Sequence, residues 1–171
     1  MLSRRGVILG GSALLTAGCA GGQHSSNTIS TSGYRGPEVT RIVVVKNRRR
    51  MYLMNGRQVI RQYPIGLGFA PEGDKKVEGD GKTPEGRYRI DRRNPESNFY
   101  LSLGISYPNA RDIAEARRLG KKPGGDIFIH GESPVRVDGR DWTAGCIAVS
   151  NRHMTAIYAM VQDGTVIDIL P

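Results

Sequence analysis

Ile127-Phe128-Ile129-His130-Gly131, a polar loop, then Trp142-Thr143-Ala144-Gly145-Cys146-Ile147-Ala148-Val149-Ser150-Asn151: this stretch decides how the chain is read. It sets His130 at the end of an apolar run. Cys146 follows sixteen positions later, behind a glycine and ahead of a second apolar run. Only the thiolate attacks well, so a thiol at neutral pH needs a base. An imidazole titrates near the working pH and can take that proton and return it. Two strands joined by a loop can bring the groups side by side, which makes the pair a candidate cysteine acyl-transfer site. Such a pairing predicts that thiol alkylation titrates below the value of a free thiol.

Downstream, Ile147-Ala148-Val149 reads as a short strand. Asn151 can cap a final helix, whose Met154, Ile157, Tyr158 and Val161 fall on one face. His153 is expected exposed in its first turn. Gly164 stops the helix, and Thr165–Leu170 alternates as a last strand. Upstream, Asp126–His130 is a strand that follows the turn Lys122-Pro123-Gly124-Gly125. Asn109 can cap a short helix with Ile113, Ala116 and Leu119 at helical spacing, closed by Gly120. Tyr100–Tyr107 puts Leu101, Leu103 and Ile105 on one strand face. Arg87–Ile90 does the same for Tyr88 and Ile90, after the turn Thr83-Pro84-Glu85-Gly86. Asn55-Gly56 signals a hairpin between Met51–Met54 and Gln58–Pro64, and Ile42–Val45 suits a buried strand. The sum is a mainly β fold, sandwich- or barrel-like, with two short helices packed on it.

Two tempting motifs fail. Gly81-Lys82-Thr83 is no phosphate loop, because Lys76 stands where an earlier glycine is needed and Pro84 where a helix should start. Gly66-x-Gly68 precedes no helix pattern, so it is no dinucleotide fingerprint.

With 38% hydrophobic and 24% charged residues in 171, the chain suits one domain with an ordinary core. A net charge of +9 favours an anionic partner, or serves solubility alone. The cysteines are Cys19 and Cys146. If processing consumes Cys19, Cys146 has no disulfide partner in the chain; a lone thiol in an oxidising compartment then has work to do or is buried and inert.

Arg4 and Arg5 precede an apolar run, Val7–Gly18, that is long enough for a signal-peptide core and too short to span a bilayer. Its end, Leu15-Thr16-Ala17-Gly18-Cys19, resembles the lipobox of bacterial lipoproteins, which implies a lipid anchor at Cys19 in the membrane; an ordinary cleaved secretory signal is the alternative. Ser3-Arg4-Arg5-Gly6-Val7-Ile8 also resembles a twin-arginine export signal. Export to the periplasm or envelope leaves no nucleic acid as the anionic partner. The expected organisation is a signal peptide over residues 1–18, a flexible linker over 19–37 that includes a solvated His24, and a catalytic domain over 38–171.

Ile129-His130-Gly131, the loop, and Thr143-Ala144-Gly145-Cys146-Ile147, with Thr83-Pro84-x-Gly86-x-Tyr88-x-Ile90 upstream, resemble the signature of the YkuD-type L,D-transpeptidase family. The resemblance covers roughly Glu38 to Pro171. It implies Cys146 as nucleophile and His130 as base. It implies backbone amides of Gly145 and Cys146 near the developing oxyanion, with Thr143, Ala144 and Gly131 shaping that corner. Ser102, Tyr107 and Trp142 are possible groove residues. The implied substrate is a peptidoglycan stem peptide, cut at the L-centre of a diamino acid through a thioester. An amine of a neighbouring stem or of an envelope lipoprotein resolves it, with no cofactor and no metal. Ala144 and Ala148 depart from the commoner signature. Cys-x-Ala resembles the YafK-like branch, which includes hydrolases that detach lipoproteins from peptidoglycan, so amine and water both stay open as acceptors. The alternatives are an L,D-carboxypeptidase or amidase with the same thioester, a wall-binding module without chemistry, and a zinc site of His130, Cys146 and His153.

Overall fold

The computed structural model describes residues 33–171. The signal peptide, the lipidation site Cys19, His24 and most of the linker lie outside the described residues. Tyr34, upstream of the expected domain start at Glu38, packs half-buried against the core, and its hydroxyl donates to the Pro37 carbonyl.

The elements in chain order are β1 (Arg41–Val45), β2 (Arg50–Asn55), β3 (Gln58–Pro64), β4 (Gly86–Ser97), β5 (Tyr100–Ile105), α1 (Ala110–Arg118), β6 (Phe128–His130), β7 (Ile147–Ala148), α2 (Asn151–Met160) and β8 (Val166–Leu170). The fold is mainly β with two helices, as the alternating pattern predicts. β1 and β2 bury Ile42, Val44, Met51 and Leu53 on one face and leave the alternate residues outward. The β2–β3 hairpin turns at Asn55-Gly56, where Gly56 takes the positive φ that the turn requires.

One sheet runs in the order β3-β2-β1-β8-β4-β5-β6-β7. β8 lies parallel to β1, and β7 parallel to β6; the other pairs are antiparallel. β4 serves both halves. Gly86–Arg89 pairs with β8, and from Ile90 onward the strand pairs with β5 across two register shifts. The two outer strands are then joined: just beyond β3, Gly66 exchanges backbone bonds with Ala148 of β7 at 2.8 and 2.9 Å. The sheet is thereby closed in a barrel-like way, and β7 is covered on both sides.

The helices differ from expectation in detail. Asn109 caps α1, and Asp112 completes a capping box. Yet Ile113 and Leu119 are exposed, while Asp112 and Ala116 are buried. The reason is polar: Asp112 accepts from the Asn109 amide and from the buried Tyr88 hydroxyl, and this turns the acidic face inward. Ser150, not Asn151, caps α2 by accepting from the His153 amide. α2 buries Met154, Ile157 and Met160. His153 is half-buried rather than exposed, with its ring 5.1 Å from that of Tyr63.

In the long loop between β3 and β4, one carboxylate gathers a turn of the chain. Asp80 accepts from the amides of Lys76, Val77 and Lys82 and from the buried Lys75 ammonium. Burial alone would raise its pKa, but these donors outweigh that and hold it below the usual value.

Candidate active site

β6 and β7 lie side by side and in parallel, with Ile129 opposite Ile147 and His130 opposite Ala148. Side chains two apart along a strand share a face. Cys146, two before Ala148, therefore sits on the face that carries His130 and Phe128. On the other side of β6, Ser102 of β5 stands opposite His130. A solvent-open cavity of about 260 Å³ results, lined by Cys146, His130, Ser102, Phe99, Asn94 and Asp126 among others.

His130 is buried, and its Nδ1 lies 2.8 Å from the Gly131 carbonyl. A carbonyl only accepts, so Nδ1 carries the proton and Nε2 keeps its lone pair. Phe99 stacks on the imidazole at 4.6 Å, and Trp142 approaches it edge-on at 5.5 Å. Burial lowers the imidazole pKa, partly opposed by the Gly131 carbonyl. Cys146 Sγ accepts from the Phe128 amide at 3.4 Å and points its own proton at the Asp126 carbonyl at 3.5 Å. Burial pushes the thiol pKa up. The Phe128 amide opposes this, and the Asp126 carboxylate adds to it. Both shifts favour a neutral thiol beside a neutral imidazole. Both run against the expectation of a resting thiol with a lowered pKa, because desolvation of the charged forms exceeds what the neighbouring groups return.

The segment before Cys146 is a strap held by backbone bonds. Thr143 and Leu67 join by amide and carbonyl at 3.1 Å, and Phe69 donates to the Thr143 carbonyl at 2.8 Å. Thr143 Oγ1 donates to the Cys146 carbonyl and accepts from the Gly145 amide. Gly145 has φ +135, and a Cβ there would stand 2.7 Å from the Lys82 carbonyl. The glycine is therefore needed for the neighbouring loop's approach as well as for its own backbone.

Against known proteins, the YkuD family, described as the L,D-transpeptidase catalytic domain, matches residues 39–169. The chain belongs to this family. It is 27% identical over 154 residues to the Escherichia coli protein YafK, named as a candidate L,D-transpeptidase; the match covers 85% of this chain and 57% of that protein. It is 30% identical over 169 residues to Bacillus licheniformis YkuD, named likewise, covering 93% and 86%. Among solved structures, the helical cell shape determining protein Pgp2 of Campylobacter jejuni aligns with a TM-score of 0.59 at 29% identity, covering 78% of this chain and 51% of that one. The chain thus spans little more than half the length of YafK and of Pgp2.

The structure brings several residues of the YkuD-type signature together. Cys146, His130 and Ser102 line one cavity. Gly131 sits where a Cβ would meet Asn151 Oδ1 and the Phe99 carbonyl. Ala144 is exposed beside the buried Thr143 and Gly145. Trp142 packs on His130 and Phe99 and also lines a second cavity of about 390 Å³ with Ile65, Arg140 and Val137. Tyr107, expected as a possible groove residue, is buried in the core instead. Its hydroxyl donates to the Pro123 carbonyl and its ring meets Tyr88 edge-on, because the chain past β5 turns inward under α1 and the Pro123 turn. His153 packs on Tyr63, so the zinc set of His130, Cys146 and His153 is not assembled. Among the described residues, no three His, Cys, Asp or Glu side chains gather as metal ligands. Phe99, Asn94 and Asp126 were missed in the sequence. Asn94 is an ordinary residue of a long strand, Phe99 a hairpin residue and Asp126 a turn residue at φ +53, and none carries a chemical signal of its own.

Proposed function

We propose that this domain is an L,D-transpeptidase acting on peptidoglycan stem peptides through a Cys146 thioester. The observation that supports it most is the single cavity lined by both Cys146 and His130, within a chain of this family. His130 Nε2 takes the Sγ proton as sulfur attacks the carbonyl at the L-centre of the diamino acid. The Cys146 amide donates to the oxyanion; such a donor contributes on the order of 3 kcal/mol. Collapse expels D-alanine, whose nitrogen takes the proton back from the imidazolium. The amine of a second stem peptide, or of an envelope lipoprotein, then attacks the thioester and passes its proton to His130. The new amide leaves, and the thiol recovers that proton. General-base help from His130 is worth on the order of a hundredfold. The signal peptide would direct export, and a lipid at Cys19 would hold the domain at the envelope.

Water in place of the amine would make the same site a carboxypeptidase or amidase. Ala148, which offers no cation two positions past the sulfur, supports keeping that second reading. Intact mass after incubation with a carbapenem is expected to show one adduct on the parent and none on Cys146→Ala. Absence of the adduct on both, or its persistence on Cys146→Ala, overturns the assignment. Mapping the products from isolated peptidoglycan by mass spectrometry separates new cross-links from simple losses.

A further inference from the structure

We infer that the ion pair between Arg49 and Asp141 is a positioning device that sets Trp142 against His130. The inference rests on the reading of Cys146 and His130 as the reacting pair.

Asp141 immediately precedes Trp142 in the strap. Its Oδ1 accepts from the Leu67 amide at 2.9 Å and from Arg49 Nε at 3.0 Å. Its Oδ2 accepts from Arg49 Nε at 3.0 Å and Nη2 at 2.8 Å. Arg49 is itself held, since its Nη1 donates to the Lys46 carbonyl and its own carbonyl accepts from the Ile65 amide. Three distant segments thus meet on one carboxylate: the β1–β2 turn, the chain leaving β3, and the strap. The two side chains are each only 20% exposed, so the pair is less screened than a surface pair.

Arg49 adopts φ +50, in the left-handed region. An arginine is strained there and a glycine is not. The turn Asn47–Arg50 could close with glycine at this position. The arginine is therefore accounted for by its side chain, and that side chain is spent on Asp141. From Asp141 the constraint passes directly to the ring. Trp142 stands 5.5 Å from His130 and 5.7 Å from Phe99, and Phe99 lies 4.6 Å from His130. Thr143, which holds the Gly145 amide, follows one residue later.

Trp142 is the one tryptophan of the sequence, so its emission reports the strap directly. The test uses full-length Arg49→Gly, Arg49→Lys and Asp141→Asn. It measures tryptophan emission, thermal melting, and carbapenem acylation resolved into a maximal rate and a half-saturating concentration. Arg49→Gly is expected to melt cooperatively near the parent, because relieved backbone strain offsets the lost pair. Its emission shifts to the red, and its maximal acylation rate falls on the order of tenfold to a hundredfold with little change in half-saturation. Asp141→Asn follows it, and Arg49→Lys, which keeps the charge but not the fork, recovers part of the loss. Parental emission and rate in Arg49→Gly overturn the inference. So do an equal loss in Arg49→Gly and Arg49→Lys, or loss of cooperative melting in all three, which would make the pair part of the fold alone. If the parent takes no adduct at Cys146, the reading of the site fails, and the emission of the variants still decides where the strap sits.

Discussion

At Cys146 and His130, burial outweighs the backbone hydrogen bonds that oppose it. Both groups lose water, so each is driven toward its neutral form. In the proposed mechanism the reaction then begins with an uncharged pair, and charge appears only as the proton crosses to Nε2. Two pH dependences follow. A raised thiol pKa means less thiolate at any given pH, so alkylation of Cys146 by iodoacetamide should reach half its maximal rate above the pH of a free cysteine. A lowered imidazole pKa means the base stays unprotonated further into acid, so the acid limb of acylation should lie below the ordinary histidine value. Both curves are read by mass-resolved labelling against pH. A thiol midpoint below that of free cysteine would identify a resting thiolate–imidazolium pair instead.

Among the elements, the site depends on loops that cross strands rather than on the strands alone. Thr83 is fully buried, and its Oγ1 accepts from the Gly68 amide at 3.2 Å. Its neighbour Lys82 presents the carbonyl that packs on Gly145, and a Cβ at Gly68 would meet the Gly81 carbonyl and come within 3.1 Å of the Gly145 Cα. The Thr83-Pro84 motif is thus a buttress behind the cysteine strap. Thr83→Val keeps the shape and removes the acceptor, leaving a buried N–H unpaired. The expected loss is about 1–3 kcal/mol of unfolding free energy by urea denaturation. Acylation of Cys146 should slow as well, because the strap loses its backing. A fully stable Thr83→Val with the parental acylation rate would remove Thr83 from this role.

For the whole molecule, β8 ties the two halves of the sheet together, and its buried Asp168 is the polar tie across it. Asp168 accepts from Arg41 of β1 and from Arg87 of β4. Burial raises its pKa, but the two guanidinium groups outweigh this and hold it below the usual carboxylate range. A carboxylate with a folded pKa below its unfolded one contributes stability that is whole above the unfolded value. That contribution is lost as pH falls through the folded one. Stability should therefore hold through the mildly acidic range and drop below the ordinary carboxylate pKa. Asp168→Ala should cost about 1–2 kcal/mol at neutral pH, the lower end for a charged hydrogen bond, because Arg41 and Arg87 are exposed enough to be rehydrated. It should also flatten the acid limb of the melting curve. An unchanged limb would mean that Asp168 is not a principal acid-sensitive group.

The nature of the elements and the candidate pair were legible because each is written locally. Period-two burial marks β1 and β2, Asn55-Gly56 marks the hairpin, and a histidine and a cysteine at the ends of apolar runs mark the site. Three features were not legible: the carbonyl packed against Gly145, the direction of the Cys146 shift and the inward turn of Tyr107. Each depends on who stands across the fold. The Lys82 carbonyl, the Phe128 amide and the Pro123 turn reach these residues through tertiary packing, as does the Arg49–Asp141 contact between residues 92 positions apart. Periodicity records which face of a strand is apolar. Desolvation and hydrogen-bond partnership belong to the assembled neighbourhood, so they emerge only once strands and loops distant in sequence have packed together.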